Sequence, residues 1–197
     1  PKEFNGMKFI HGGGLPFSRE DLDVLKKSLQ EKLDPPKVHR IGEEFADHLL
    51  TLAGFAESTV SRPRVTAVLA AGKGVGVVAF APLAERLKAQ GFRFFFLDPE
   101  PDGDFPLGVP NPLMPEQIER LGNEVRRKNA DLGIVFDGDA DRAVFIDDKG
   151  RFVEENKELA LIAEYVCSQK KGILVTPVST SRLIETMIAP YGCNVDY

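Results

Sequence analysis

Asp137, Asp139 and Asp141 stand at alternate positions just after the apolar run Leu132-Gly133-Ile134-Val135-Phe136, and Arg142 follows at once. The small residues between them, Gly138 and Ala140, let a loop curl so that the three carboxylates converge. Carboxylates held together repel one another. A hard divalent cation with oxygen ligands is the natural neutralising partner. The place is also favourable, because ligands of open parallel sheets bind beyond the carboxyl ends of strands. The calcium loop of an EF-hand opens with the same acidic alternation. It needs Gly at its sixth position and Glu at its twelfth, where this sequence has Arg142 and Asp148, and it needs helical flanks. Arg142 brings a fixed charge on a planar fork, suited to gripping a phosphate or a ligating carboxylate in two places.

Other residues give weaker signals. Gly72-Lys73-Gly74-Val75-Gly76 could cradle a phosphate at a helix start, but it lacks the dinucleotide spacing and reads better as a tight turn. His11, before Gly12-Gly13-Gly14, shows no partner in the sequence, and no Ser-His-Asp set is readable. Cys167 and Cys193 lie in apolar surroundings and read as reduced core residues. They are too few for a disulfide framework, so a reducing, cytoplasmic setting is expected.

The elements that must position these groups follow from pattern. The chain has 197 residues, 43% apolar and 28% charged, with a net charge of −5. That composition suits ordinary globular packing, and no basic patch marks a nucleic-acid surface. No apolar run is long enough to cross a bilayer, and no signal segment opens the chain. Residues 17–33 predict a helix that opens on a Ser18/Asp21 capping box and carries Leu22, Leu25, Leu29 and Leu33 on one face. Pro35-Pro36 marks a boundary. Residues 41–53 predict a second helix with Ile41, Phe45 and Leu49 aligned. Strands are expected at 65–70, 92–97, 132–136 and 142–146. Helices are expected from the glycine turn to about Gln90, with Pro82 in its first turns, and from Pro115 onward, with Ile118, Leu121 and Val125 facing the core. Strands alternating with helices predict an α/β fold: three-layer α/β/α domains with a mixed, mostly parallel sheet. After Gly150 a new unit is expected. Its helix is capped by Asn156 and turns Leu159, Ile162, Ala163 and Val166 inward, and it is followed by a strand at 173–175 and a helix over 180–189.

With the acidic loop in place, the sequence resembles the α-D-phosphohexomutases: phosphoglucomutases, phosphomannomutases and phosphoglucosamine mutases. Asp137-Gly138-Asp139-Ala140-Asp141-Arg142 is similar to that family's magnesium loop, D-G-D-[AG]-D-R. Pro1, Asn5, Gly6 and Lys8 match the end of its catalytic loop, S-H-N-P followed by N-G-x-K. Glu100 to Pro106 and Pro110-Asn111-Pro112 resemble the linker before the helix that leads to the metal strand. The resemblance implies a mutase that transfers phosphoryl between C1 and C6 of a hexose phosphate through an enzyme phosphoserine and a hexose 1,6-bisphosphate, with Mg²⁺ held by Asp137, Asp139 and Asp141. It places Lys8 as proton shuttle, and Arg142, beside the acids of the loop, is the second catalytic candidate. It divides the chain into the end of a first domain (1–33), a metal-loop domain (38–148) and the start of a third (150–197). The implied serine would lie three residues before Pro1. The family's sugar-recognition motif and phosphate-binding fourth domain would lie beyond Tyr197. This sequence is therefore expected to be an internal piece, inactive alone.

One departure stands out. The turn Ala70-Ala71-Gly72-Lys73-Gly74 differs from the family's N-G-x-G, with Lys73 where a small residue is expected. Two other readings stay open. One is a non-catalytic relative that keeps the metal loop, told apart by the identity of the upstream residue. The other is a metal-dependent phosphatase or phosphotransferase on another fold, in which an Asp is itself phosphorylated.

Overall fold

The computed structural model describes residues 9–28, 41–55 and 64–197. Lys8, the Pro35-Pro36 boundary and the last turn of the first expected helix lie outside them. Helix α1 (Arg19–Ser28) opens on the expected reciprocal cap: Ser18 N–H donates to Asp21 Oδ2 at 2.8 Å, and Asp21 N–H donates to Ser18 Oγ at 3.2 Å. Helix α2 (Ile41–Leu52) buries Ala46, whereas Ile41 and Phe45 stay more than half exposed. The expected Ile41–Phe45–Leu49 stripe is thus not the buried one, because α2 rests on the next helix through its small residue.

The next unit alternates strand and helix: β1 (Thr66–Ala70), α3 (Gly76–Lys88), β2 (Arg93–Leu97), α4 (Pro115–Lys128), β3 (Leu132–Phe136) and β4 (Ala143–Ile146). Pro82 falls in the second turn of α3, and Pro115 opens α4 at its first position. The sheet order is β2-β1-β3-β4. The first three strands are parallel, and β4 runs antiparallel to β3. Successive side chains of a strand point to opposite faces, and β3 uses both. Val135 joins Val68, Ala70, Val144 and Ile146 beneath Leu121 and Val125 of α4. Phe136 turns the other way, toward Phe80 of α3 at 6.1 Å between ring centroids. Helices therefore cover both faces, and the architecture is the expected three-layer, mostly parallel α/β/α fold.

Register then places the loops. Ala70 pairs with Leu97 and with Val135, so β1, β2 and β3 end together. Residues 71–75, 98–114 and 137–142 leave the sheet at that one edge.

Beyond Gly150 come α5 (Glu155–Gln169), β5 (Ile173–Val175), α6 (Leu183–Ile188), a 3₁₀ turn (Ala189–Tyr191) and β6 (Asn194–Asp196), which pairs parallel with β5. Two expectations are corrected here. Glu154, not Asn156, precedes α5, and Asn156 instead accepts a hydrogen bond from the Ser181 N–H at 2.9 Å. Ala163 faces inward as expected, but its buried companions on α5 are Ala160 and Cys167, while Leu159, Ile162 and Val166 are exposed. The small residues let α6 approach closely, and packing followed them. Cys167 and Cys193 are both buried and unbridged in that core.

Candidate functional site

The acidic loop sits at the carboxyl edge and is held from three sides. Within it, Ala140 takes a left-handed φ of 62°, and its N–H reaches Asp137 O at 3.3 Å. That conformation costs an alanine about 1 kcal/mol. From the 71–75 loop, Val75 N–H donates to Gly138 O at 3.1 Å. Gly74 lies so close that a Cβ there would stand 2.6 Å from Gly138 O, which no side chain tolerates. From the 98–114 loop, Pro110 and the Phe105 ring close on Gly138. Lys73, Asp98 and Phe105 are left-handed as well. Four of the five described non-glycine residues with positive φ thus lie in these three loops, and retained strain concentrates where geometry serves function.

The structure brings Asp137, Asp139 and Asp141 together: one carboxylate oxygen from each falls within 4.8 Å of the others. Asp137 is buried, and the other two face solvent. Arg142 grips Asp137. Its Nη2 and Nε lie 2.8 and 2.9 Å from Oδ2, and its backbone N–H donates to Oδ1 at 3.2 Å. Its Nε also lies 3.4 Å from Asp141 Oδ1.

Burial pushes the Asp137 carboxyl up, but the Arg142 backbone N–H, the Asp141 carboxyl and the Arg142 guanidinium together outweigh it and bring it below its ordinary value. Asp141 moves the other way, raised chiefly by its hydrogen bond with Asp137. One carboxyl held low and its neighbour held high is the signature of acids crowded at one site. The donor set fits a hard divalent cation: oxygen atoms only, one carboxylate shielded from water, two open to complete a shell with solvent or ligand.

Lys8 lies outside the described residues. His11, without a partner in sequence, stacks on Phe17 at 4.4 Å and meets Asp21 at 3.1 Å. Ser18 donates to that same Asp21 carboxylate. The cluster is therefore a helix cap and not a nucleophile–base pair. The cavity of about 330 Å³ between α2, α3 and the β3–β4 face is lined by Phe45, Leu49, Phe80, Phe136 and Phe145 and offers no grip on a charged ligand. Sequence reasoning missed Phe105 and Pro110 as supports of the loop. The family-like linker was the one signal that pointed to their segment.

An α/β/α domain with a convergent acidic loop at the carboxyl edge of its parallel strands narrows the class. Residues 43–150 match the family described as phosphoglucomutase/phosphomannomutase, alpha/beta/alpha domain II. The chain belongs to the phosphoglucomutase/phosphomannomutase family. It is 32% identical over 187 residues to a probable phosphoglucosamine mutase of Methanosarcina barkeri, covering 93% of this chain and 42% of that protein. It is 32% identical over 184 residues to a phosphomannomutase of Escherichia coli, covering 87% of this chain and 40% of that one. Among solved structures it is similar to a phosphoglucomutase/phosphomannomutase family protein from Burkholderia thailandensis, with a TM-score of 0.67 and 23% identity, covering 91% of this chain and 38% of that one. It is also similar to a putative phosphomannomutase from Thermus thermophilus, with a TM-score of 0.68 and 17% identity, covering 92% and 42%. These two likenesses establish the fold. The chain spans about two fifths of the length of the curated relatives it matches.

Among the described residues, no helix is long and apolar enough to cross a membrane.

Proposed function

We propose that the protein carrying this chain is a phosphohexomutase, an isomerase that moves phosphoryl between C1 and C6 of a hexose phosphate by way of an enzyme phosphoserine and a hexose 1,6-bisphosphate. The convergence of Asp137, Asp139 and Asp141 in a chain of this family carries the reading. In it, residues 1–33 end a first domain, 38–148 form the metal-loop domain and 150–197 begin a third.

Asp137, Asp139 and Asp141 would hold Mg²⁺. Bound there, the cation offsets negative charge on the phosphoryl oxygens. The chain's own residues prepare the place. Asp137 is kept ionised and oriented by Arg142, which cancels part of the loop's charge. Asp139 and Asp141 stay open toward solvent, where a phosphorylated ligand arrives. The 98–114 loop covers Gly138 and limits how far the loop can relax. Lys8 would take the proton from the attacking hydroxyl, its pKa lowered by the neighbouring cation.

The test is a coupled mutase assay on the full-length protein with Mg²⁺ and trace hexose 1,6-bisphosphate, beside Asp139→Ala. Glucose 1-phosphate, mannose 1-phosphate and glucosamine 1-phosphate are offered separately. Asp139 is exposed, so its loss should leave the fold intact. Turnover on one of the three is expected, reduced on the order of a hundredfold or more in the variant. No turnover on any of them overturns the reading and favours a non-catalytic relative.

A further inference from the structure

Lys73 is placed at odds with its side chain. Its φ of 70° is left-handed, a region that favours glycine and asparagine over a long side chain. The backbone is fixed there from both directions. Its carbonyl accepts the Asp102 N–H at 2.8 Å, and the two residues after it pack on Gly138 of the acidic loop. Lys73 thus stands at the carboxyl edge, one residue removed from backbone contact with that loop.

Its charge is uncommitted. Lys73 is half-buried, yet its ammonium makes no hydrogen bond or ion pair among the described residues. Two other cations of this edge are engaged, Arg142 on Asp137 and Arg120 on Asp98. Three carboxylates, one guanidinium and one divalent cation leave the acidic loop without net charge. A phosphoryl dianion brought there is stabilised by any further cation at this edge, and a lysine serves as a point charge for phosphate.

We infer that Lys73 is a phosphate-binding residue of this site, contacting the phosphoryl group of the ligand beside the acidic loop. The inference rests on the phosphohexomutase reading for its substrate. The rival role is structural: Lys73 pairs with Asp139 or Asp141 and merely holds the loop.

The experiment compares the full-length protein with Lys73→Met, Lys73→Arg and Lys73→Asn. Inorganic phosphate binding to the Mg²⁺-loaded protein is measured by titration calorimetry, and Mn²⁺ affinity is measured separately. Lys73→Met and Lys73→Asn are expected to lose about tenfold in phosphate affinity while Mn²⁺ affinity stays within about twofold, and Lys73→Arg retains most phosphate binding. Lys73→Asn should melt no lower than the parent, since asparagine tolerates the left-handed turn, so misfolding cannot account for its loss. Hexose phosphate KM should rise in step with the phosphate loss, with kcat little changed. Unchanged phosphate affinity in Lys73→Met overturns the inference, as does a parent that binds no phosphate. Equal losses of phosphate and Mn²⁺ affinity overturn it in favour of the structural role. A parent that binds phosphate through Lys73 but turns over no hexose phosphate leaves the inference standing and removes the mutase reading. An active parent whose KM ignores Lys73 does the reverse.

Discussion

Leu121 in α4 and Ile162 in α5 each lie on an apolar stripe of an amphipathic helix, yet Leu121 is fully buried and Ile162 is 59% exposed. The contrast extends to their surroundings. Around α4, four strands and two helical layers enclose Val68, Leu69, Val125, Val135 and Ile146 almost completely. Around α5 there are two strands and one short helix. The core there is Ala163, Cys167, Ile184, Ile188 and Cys193, while Val175 and Val178 stand open. Both units use the same parallel α/β logic. Within these 197 residues the first unit closes its core on both faces and the second does not, and the acidic loop is mounted on the closed one.

The largest effects should follow that division. Leu121→Ala removes a side chain from the closed core and is expected to cost about 3–5 kcal/mol. Ile162→Ala changes an exposed position and should stay within about 0.5 kcal/mol. Chemical denaturation of the 197-residue chain, with amide exchange assigning the loss to β1 or α5, measures both. An Ile162→Ala cost near that of Leu121→Ala in this chain would break the comparison, because it would mean that α5's outer face is packed and not exposed.

A smaller effect sharpens the link between the closed unit and the site. Gly74→Ala sets a methyl against the Gly138 carbonyl, and both partners are backbone. The turn must move off the acidic loop, at about 1–3 kcal/mol and with a loss of divalent affinity on the order of tenfold. Mn²⁺ titration checks it. An alanine variant with unchanged Mn²⁺ affinity would show that the acidic loop keeps its shape without the turn beside it.

What sequence could reveal divides along similar lines. The acidic loop was legible because its chemistry is written in six contiguous residues, and the strands because Leu132–Phe136 and Thr66–Ala70 are short apolar runs bounded by turn residues. The contact of Gly74 with Gly138 joins segments more than sixty residues apart, and His11 meets Asp21 only because a loop folds back on a helix start. No local pattern announces either. The face of α5 was misread for a related reason. Periodicity marks two adjacent stripes, and hydrophobic size favours Leu159 and Ile162, but close approach of α6 selects Ala160 and Cys167 beside the expected Ala163. In α4 the large residues and the packing face coincide, and the same reasoning succeeded.

At the far end of the comparison is α1, which buries no residue. Its start is held by the polar contacts of Ser18, Asp21 and His11, and these titrate. The Asp21 carboxyl is lowered from the usual 3.8 to about 2, first by the Ser18 hydroxyl, then by the Ser18 N–H and by His11. A carboxyl held lower in the folded chain than in the unfolded one stabilises the fold fully above the unfolded value. That contribution fades as pH falls from about 4 through 2. Protection of the first-turn amides of α1 should therefore decline across that window in the parent. In Asp21→Asn, which keeps an acceptor but cannot titrate, it should start lower and stay level. Hydrogen exchange at several pH values compares the two. The effect is the smallest of the set, because the cap is exposed to water. Equal slopes in both proteins would mean that α1 is held by something other than its cap, and the contrast between buried and capped helices would lose its third member.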